Sequence, residues 1–345
     1  MVVGVWWTVR RRHALVAVAA SATLVTVVCG LLFGDGGSQP YPVAAAGVAV
    51  LIALLLRRGL SREALLGRRA LLGYVVVVAA SCLLPTPMGS NIARLGVAFA
   101  VPVALLARRR AASVSRAAGC VAAAAWMVFA PATEVAKSVD APATHASYYA
   151  PLLAQLALRD TTPGRIEVVP SATRWESVYV GARYPLARGW ETQIDRARNA
   201  LFYARGLSAA SYLRWLQRNA VAFVALSRGP KERWGRAEER LLRRGVRGLR
   251  LVWAASNWRL YAVVRPAPLA DGARVTDLGV DRVAMRFATA QTARLRVRWS
   301  PYWDGGPGVC IAKRPDGFID VSAARAGPVV LRISPLAAAE GTRGC

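Results

Sequence analysis

The feature that most constrains this 345-residue chain is the uneven placement of its apolar residues. Positions 14–131 are mostly Ala, Val and Leu, whereas positions 132–345 have the mixed composition of an ordinary globular protein. A bilayer core about 30 Å thick needs roughly 20 apolar residues per helix. Five segments approach that length, at 14–33, 41–56, 70–84, 92–107 and 117–131. The sequence therefore predicts an α-helical transmembrane bundle of about five spans over residues 1–131.

Charge between the segments orients them. Arg10, Arg11 and Arg12 precede the first, and Arg57, Arg58, Arg62, Arg68 and Arg69 separate the second from the third. Arg108, Arg109, Arg110 and Arg116 separate the fourth from the fifth, while loops 34–40 and 85–91 contain no Lys or Arg. The positive-inside rule then describes a multi-pass protein of the cell membrane, with a cytoplasmic N-terminus and everything after Pro131 outside. A cleaved signal peptide is the rival reading of 14–33, but no small-x-small site closes it.

The net charge of +27 does not point to nucleic acid. The basic residues are nearly all Arg, with Lys137, Lys231 and Lys313 the only lysines, a skew that GC-rich coding produces without selection for a ligand. No basic run is interleaved with aromatics for stacking on bases.

After a linker at 132–144, residues 145–270 alternate helical and strand patterns and predict an extracytoplasmic α/β domain. Helices are expected at Tyr148 to Arg159, around Ile194 to Leu201, around Tyr212 to Leu216 and at Arg236 to Arg244. Strands are expected at Arg165 to Val169, around Val178 to Val180, at Val221 to Leu226 and in a pair joined at Ser256-Asn257. From 271 to 345 the pattern turns all-β. Val283, Met285 and Phe287 alternate with Arg282 and Arg286, and Leu295, Val297 and Trp299 with Arg294, Arg296 and Arg298. Such period-2 alternation, with a turn at Pro315-Asp316-Gly317, predicts a small C-terminal β-sandwich.

Several segments carry a resemblance. The run Pro85-Thr-Pro-Met-Gly-Ser-Asn-Ile-Ala-Arg-Leu95 lies between two apolar segments. Gly164 to Pro170, Arg174-Trp-Glu176, Ala187-Arg-Gly-Trp190 and Arg298-Trp-Ser-Pro-Tyr-Trp303 follow it. Together they resemble actinobacterial membrane proteins of the glycosyltransferase C (GT-C) superfold, including the 6-pyruvoyl-tetrahydropterin-synthase-related and YfhO-like groups. The resemblance implies a polyprenyl-phosphate-sugar-dependent envelope glycosyltransferase. Such enzymes usually have more spans and a catalytic carboxylate in an early outer loop. Here only Asp35 is available, so a truncated chain without the catalytic step is expected. The alternatives are a non-catalytic membrane-anchored module binding envelope glycan or a partner protein, and part of a transporter.

The candidate sites follow from residue chemistry. Arg94, with Ser90 and Asn91 beside it, is an intramembrane guanidinium that either binds the phosphate of a lipid-linked sugar or snorkels to the surface. Trp299, Tyr302 and Trp303 near Asp304 form either a glycan-stacking platform or part of a strand core. The Arg faces of the β region either hold an anionic polymer or are simply solvated. Cys310 and Cys345 are expected to form a disulfide in an oxidising compartment, whereas Cys29, Cys82 and Cys120 read as small apolar residues. The acid pair Glu238 and Glu239 reads as a solvated helix face. His13 and His145 lack ligand spacing, so no metal or cofactor is expected. Asp35→Asn is expected to reduce envelope glycan if the chain is a transferase and to leave it unchanged if it is a binding module, as read from envelope sugar composition.

Overall fold

The computed structural model describes residues 20–21, 24–25, 27–30, 41–60, 65–84, 89, 91–93, 96, 114–159, 164–335 and 337. The chain divides into two compact units, Met1–Lys137 with Glu191–Arg198, and Ser138–Trp190 with Asn199–Cys345.

The first unit contains helices α1 (Val43–Gly59), α2 (Leu65–Leu83) and α3 (Val114–Ser138). In α1, Ala46, Ala49, Ile52, Ala53 and Leu56 recur at helical spacing and are buried. Ile52 and Leu56 pack with Ala123 of α3, and Leu71 and Trp126 adjoin them. Gly119 makes this approach close, because a Cβ there would lie 3.3 Å from the Leu56 backbone nitrogen. Arg68 of α2 turns back and donates to the carbonyls of Arg57 and Leu60, at 3.2 and 3.1 Å. It therefore satisfies carbonyls that the end of α1 leaves open.

This arrangement corrects the expected five-span bundle. Among the described residues, only Ala117–Ser138 of α3 is long and apolar enough to cross a membrane. Helix α1 has 17 residues and ends on Arg57 and Arg58. Helix α2 begins before Arg68 and Arg69, which leaves 70–83 as its apolar part. That part is about 21 Å long at 1.5 Å per residue, short of a bilayer core. Segments 14–33 and 92–107 fall mostly outside the described residues.

The second unit opens with α4 (Ala146–Ala157), β1 (Arg165–Val168) and a single helical turn, α5 (Glu176–Tyr179). Helix α6 (Thr192–Arg198) belongs to the first unit. Then follow α7 (Ala209–Arg218), β2 (Val221–Ser227), α8 (Arg236–Arg244), β3 (Leu249–Ala254) and β4 (Trp258–Val263). The four strands form one sheet in the order β1-β2-β4-β3. Strand β1 runs parallel to β2, and the remaining pairs are antiparallel. Alternation sends Val224, Tyr261 and Val263 to one face, and a register shift at the start of the β1–β2 pair lets Val221 join them, against Tyr212, Trp215 and Leu216 of α7 and Leu242 of α8. Ile166, Val168, Ala225, Trp258 and Leu260 take the other face, with Tyr149, Leu152 and Leu156 of α4. Helices thus cover both faces of the sheet, as burial of two apolar faces requires. Segment 178–180, expected as a strand, lies in and just after the turn of α5. Its β-branched residues are overridden by the loop that leads into it.

Strands β5 (Ala270–Asp271), β6 (Arg274–Leu278), β7 (Arg282–Phe287), β8 (Gln291–Leu295), β9 (Trp303–Asp304), β10 (Val309–Lys313), β11 (Ile319–Ala323) and β12 (Gly327–Ile333) complete the unit. They form two four-stranded sheets, β10-β11-β8-β5 and β6-β7-β12-β9. One core joins them, with Val283, Met285, Phe287 and Leu331 from one sheet and Ala293, Leu295, Ile319 and Val321 from the other. The turn at Pro315-Asp316-Gly317 falls where the sequence places it. Gly317 takes φ +81°, and the Asp316 carboxylate accepts from the Phe318 amide at 3.1 Å.

A buried ionic cluster lies on the α7–α8 side of the α/β sheet. Arg188 Nη1 is 3.2 Å from Glu238 Oε2 and 3.8 Å from Glu167 Oε1, and Glu167 and Glu238 are fully buried. Tyr212 donates to Glu238 at 2.6 Å, and the Arg188 guanidinium lies 3.9 Å over the Phe202 ring. Glu238 is therefore not on a solvated face. Only Glu239 keeps that role, paired with Arg243 at 2.8 Å. Arg188→Met removes the cation that both carboxylates face and is expected to destabilise the fold by about 3–5 kcal/mol. Replacing Arg188, Glu167 and Glu238 together by Met, Leu and Leu is expected to cost less than the single change. Urea unfolding followed by tryptophan fluorescence compares the two variants.

Candidate functional site

Parallel strands β1 and β2 end on the same edge of the sheet, and the loops that follow them are tied together. Ala172 N donates to Pro230 O, and Glu232 N donates to Pro170 O, each at 3.0 Å. Ser171 and Lys231 form an isolated antiparallel bridge. Carboxyl ends of parallel strands are where α/β sheets commonly place ligands.

Each loop is fixed by one buried charged side chain. After β2, the Lys231 ammonium donates to Ser227 O at 2.6 Å, to Ser227 Oγ at 2.9 Å and to Gly229 O. All three of its protons are thereby used. Burial lowers the Lys231 pKa, and nearby Glu239 partly offsets the effect. After β1, Glu176 closes the loop back onto Ser171 by accepting from Ser171 N at 3.1 Å and from Ser171 Oγ at 2.5 Å. Burial raises the Glu176 pKa, against the opposing hydrogen bonds from Ser171.

Within that loop Arg174 takes φ +57°. A non-glycine residue there costs on the order of 1 kcal/mol, a strain often concentrated at ligand sites. The conformation is held because the Arg174 amide donates to Ser171 Oγ at 3.0 Å. Its guanidinium reaches Trp190 O at 2.6 Å and Glu232 Oε2 at 3.2 Å. Arg174 thus joins three segments, and its charge is already balanced by Glu232.

The result is a groove of about 260 Å³ lined by Thr173, Arg174, Trp175, Ser177, Val178 and Trp190. Trp190 is 65% exposed and Trp175 37%, unusual for residues this large. Trp175 is backed by an aromatic column running into the core. It stacks on Tyr179 at 5.7 Å, Tyr179 meets Tyr149 at 5.1 Å, and Tyr149 meets Trp258 at 5.6 Å. The segment bearing Trp190 is pinned at its other end, where Ala187 N donates to Ile166 O at 2.8 Å and Arg188 enters the buried ionic cluster. The groove therefore offers one indole backed by an aromatic column, a second more exposed indole on a tethered backbone, two hydroxyls and a neutralised guanidinium. Such a lining holds a ligand by shape and apolar contact.

The residues singled out from the sequence are placed elsewhere. Asp35, Ser90, Arg94 and Cys345 lie outside the described residues. Asn91 is exposed. Trp303 is in the sandwich core, its ring nitrogen donating to Arg298 O at 3.0 Å. Trp299 packs against that core with the Lys313 ammonium 4.8 Å over its ring. Tyr302 is half-buried, and Asp304 accepts from Gly306 N at 2.9 Å. Trp303 faces inward while Asp304 faces solvent, so these four residues do not share one open surface. Cys310 is disulfide-bonded, and Cys29, Cys82 and Cys120 are free. No cluster of three or more metal-ligating side chains occurs among the described residues. The groove residues were legible only as the segments Arg174-Trp-Glu176 and Ala187-Arg-Gly-Trp190. Nothing in their spacing announces that the two tryptophans line one groove.

Glu176 gives the site a pH dependence with a definite sign. Its native pKa is raised above the ordinary 4.5, so the folded state holds the proton more tightly than the unfolded one. The stability this contributes is fully present below about pH 4.5 and is lost as pH rises through the native value. Glu176→Gln removes the titration. It is expected to flatten the dependence of Tm on pH in this window, as thermal unfolding across pH 4 to 8 would reveal.

Compared with protein-family models, curated proteins and solved structures, the chain matches none of them.

Proposed function

We propose that this chain is a membrane-anchored, non-catalytic binding module whose α/β unit presents its groove outside the cytoplasm. The observation that carries this reading is the 22-residue stretch Ala117–Ser138 of α3, whose most apolar 18-residue window has mean hydropathy 1.4. Its Val121, Val128 and Phe129 are 69%, 63% and 66% exposed. Up to Glu134 the stretch carries no charge, and apolar side chains exposed along it need an apolar surround, which a bilayer supplies. Arginines at 108–110 and 116 flank its start, against Lys137 at its end, which favours a cytoplasmic start. Disulfide bonding of Cys310 fits an oxidising compartment for the sandwich.

A binding role fits the site better than turnover does. Lys231 is fully engaged in holding backbone, and Arg174 and Glu232 neutralise one another. The groove has the composition of a contact surface, with apolar walls and a few hydroxyls.

The full chain is expected to stay in the membrane pellet after alkaline carbonate washing, and its α/β unit to be cleaved by protease added to intact cells. Val128→Asp, near the middle of the stretch, costs about 2.5–3.5 kcal/mol of insertion and is expected to release a large fraction into the supernatant. Recovery of the wild-type chain in the soluble fraction would overturn the reading.

A further inference from the structure

We propose that the groove between Trp175 and Trp190 is a carbohydrate-binding site that takes one uncharged sugar ring of a glycan. This assignment rests on the reading of the α/β unit as a binding module and names its ligand class.

Size, chemistry and rigidity argue for this occupant. At about 260 Å³ the groove is slightly smaller than sites for drug-sized ligands, which start near 300 Å³. It suits a single six-membered ring and is too short for the successive anchors of a helical peptide. The lining pairs two exposed indoles with the hydroxyls of Thr173 and Ser177. A pyranose has the matching character, with a C–H face to lie on an indole and a rim of hydroxyls to bond the side chains. Charge selects against anionic ligands. The Arg174 guanidinium is committed to Glu232 and to Trp190 O, so an anion entering here would compete with an existing pair. Rigidity lowers the entropic cost of binding. Trp175 rests on the column of Tyr179, Tyr149 and Trp258, and the Trp190 carbonyl is held by Arg174. The strained φ of Arg174 is a further mark of a loop shaped for contact.

The test uses the full chain in detergent micelles. Neutral oligosaccharides of glucose, mannose, galactose, arabinose and N-acetylglucosamine are titrated in parallel with a sulfated polysaccharide and phosphatidylcholine vesicles. Binding is read by calorimetry and tryptophan fluorescence. At least one neutral oligosaccharide is expected to bind and to shift the emission. Trp190→Ala, which removes an exposed ring, is expected to weaken binding at least about tenfold, as truncating a tryptophan anchor does. Its Tm is expected to stay unchanged. Trp190→Tyr is expected to retain most of the affinity, and Thr173→Val with Ser177→Ala to change the preference among sugars. Three results would each overturn the assignment: no neutral glycan bound at millimolar concentration, binding indifferent to Trp190→Ala, or loss of vesicle binding alone in that variant. Carbonate extraction reports the anchor independently. A chain that stays in the pellet yet binds no glycan defeats this assignment alone, and a soluble chain that binds glycan through Trp190 defeats only the anchor.

Discussion

The second unit depends most on the burial of Arg188 between Glu167 and Glu238. A lone charge at such depth is costly, so this cluster exists only while a strand and a helix hold its members together. Glu167 comes from β1, Glu238 from α8, and Tyr212 of α7 adds a hydrogen bond to Glu238 at 2.6 Å. Arg188 belongs to the connection after α5 and meets Phe202 with its guanidinium face. Four separate pieces of chain converge on one ionic centre. Exchanging all of them for hydrophobic residues need not weaken the fold, whereas removing one alone leaves a charge buried without its partner. Arg188 fixes where the chain re-emerges, and two residues later it emerges as Trp190.

The groove inherits its shape from that constraint. One wall follows the buried arginine, and the other follows the loop that Glu176 closes around Ser171. Arg174 connects them from a left-handed backbone conformation that neither propensity nor packing alone would select. The strain is small beside the bonds that maintain it, because Arg174 engages Ser171, Trp190 and Glu232 together. Local strain, a buried acid with a raised pKa and two exposed tryptophans coincide on one sheet edge. Away from the carboxyl ends of β1 and β2, each would be a local curiosity.

Much of this fold was written in the period of the sequence. Alternation at Val283, Met285 and Phe287 placed a strand and its inward face correctly, and the run Val221 to Leu226 became β2, one of two interior strands of its sheet. Legibility ended where tertiary contacts decide. Val178 and Val180 suggested a strand, yet the Ser171–Glu176 loop turns their segment into helix. Glu238 looked solvated because its neighbours are arginines, although Leu242 four residues on marks its stripe as the inward one. The five-span reading treated Arg57, Arg58, Arg68 and Arg69 as boundaries of long helices. Arg68 instead caps α1, and apolar content alone did not give α1 and α2 the length to span. The aromatic cluster near Asp304 read as a glycan platform because sequence shows neighbours, not facing. Trp303 sits in the core, whereas Trp175 and Trp190, 15 residues apart, share a groove.

The strongly basic composition needs a physical account, because it would ordinarily suggest an anionic partner. In the sandwich four arginines meet aspartates: Arg282 with Asp277, Arg294 with Asp316, Arg296 with Asp271, and Arg314 with Asp320, all at 2.8 to 2.9 Å. Such exposed pairs contribute little to stability, typically below about 1 kcal/mol each. They do change what the surface offers at these four positions, where the guanidinium already has a carboxylate at contact distance. The same holds at the groove, where Arg174 faces Glu232. Net charge still attracts anions from a distance, but screening beyond about 8 Å at physiological salt leaves recognition to local contacts. At the groove the exposed surface is aromatic. An uncharged ligand with an apolar face matches it, and an anion would have to displace a partner the protein already supplies.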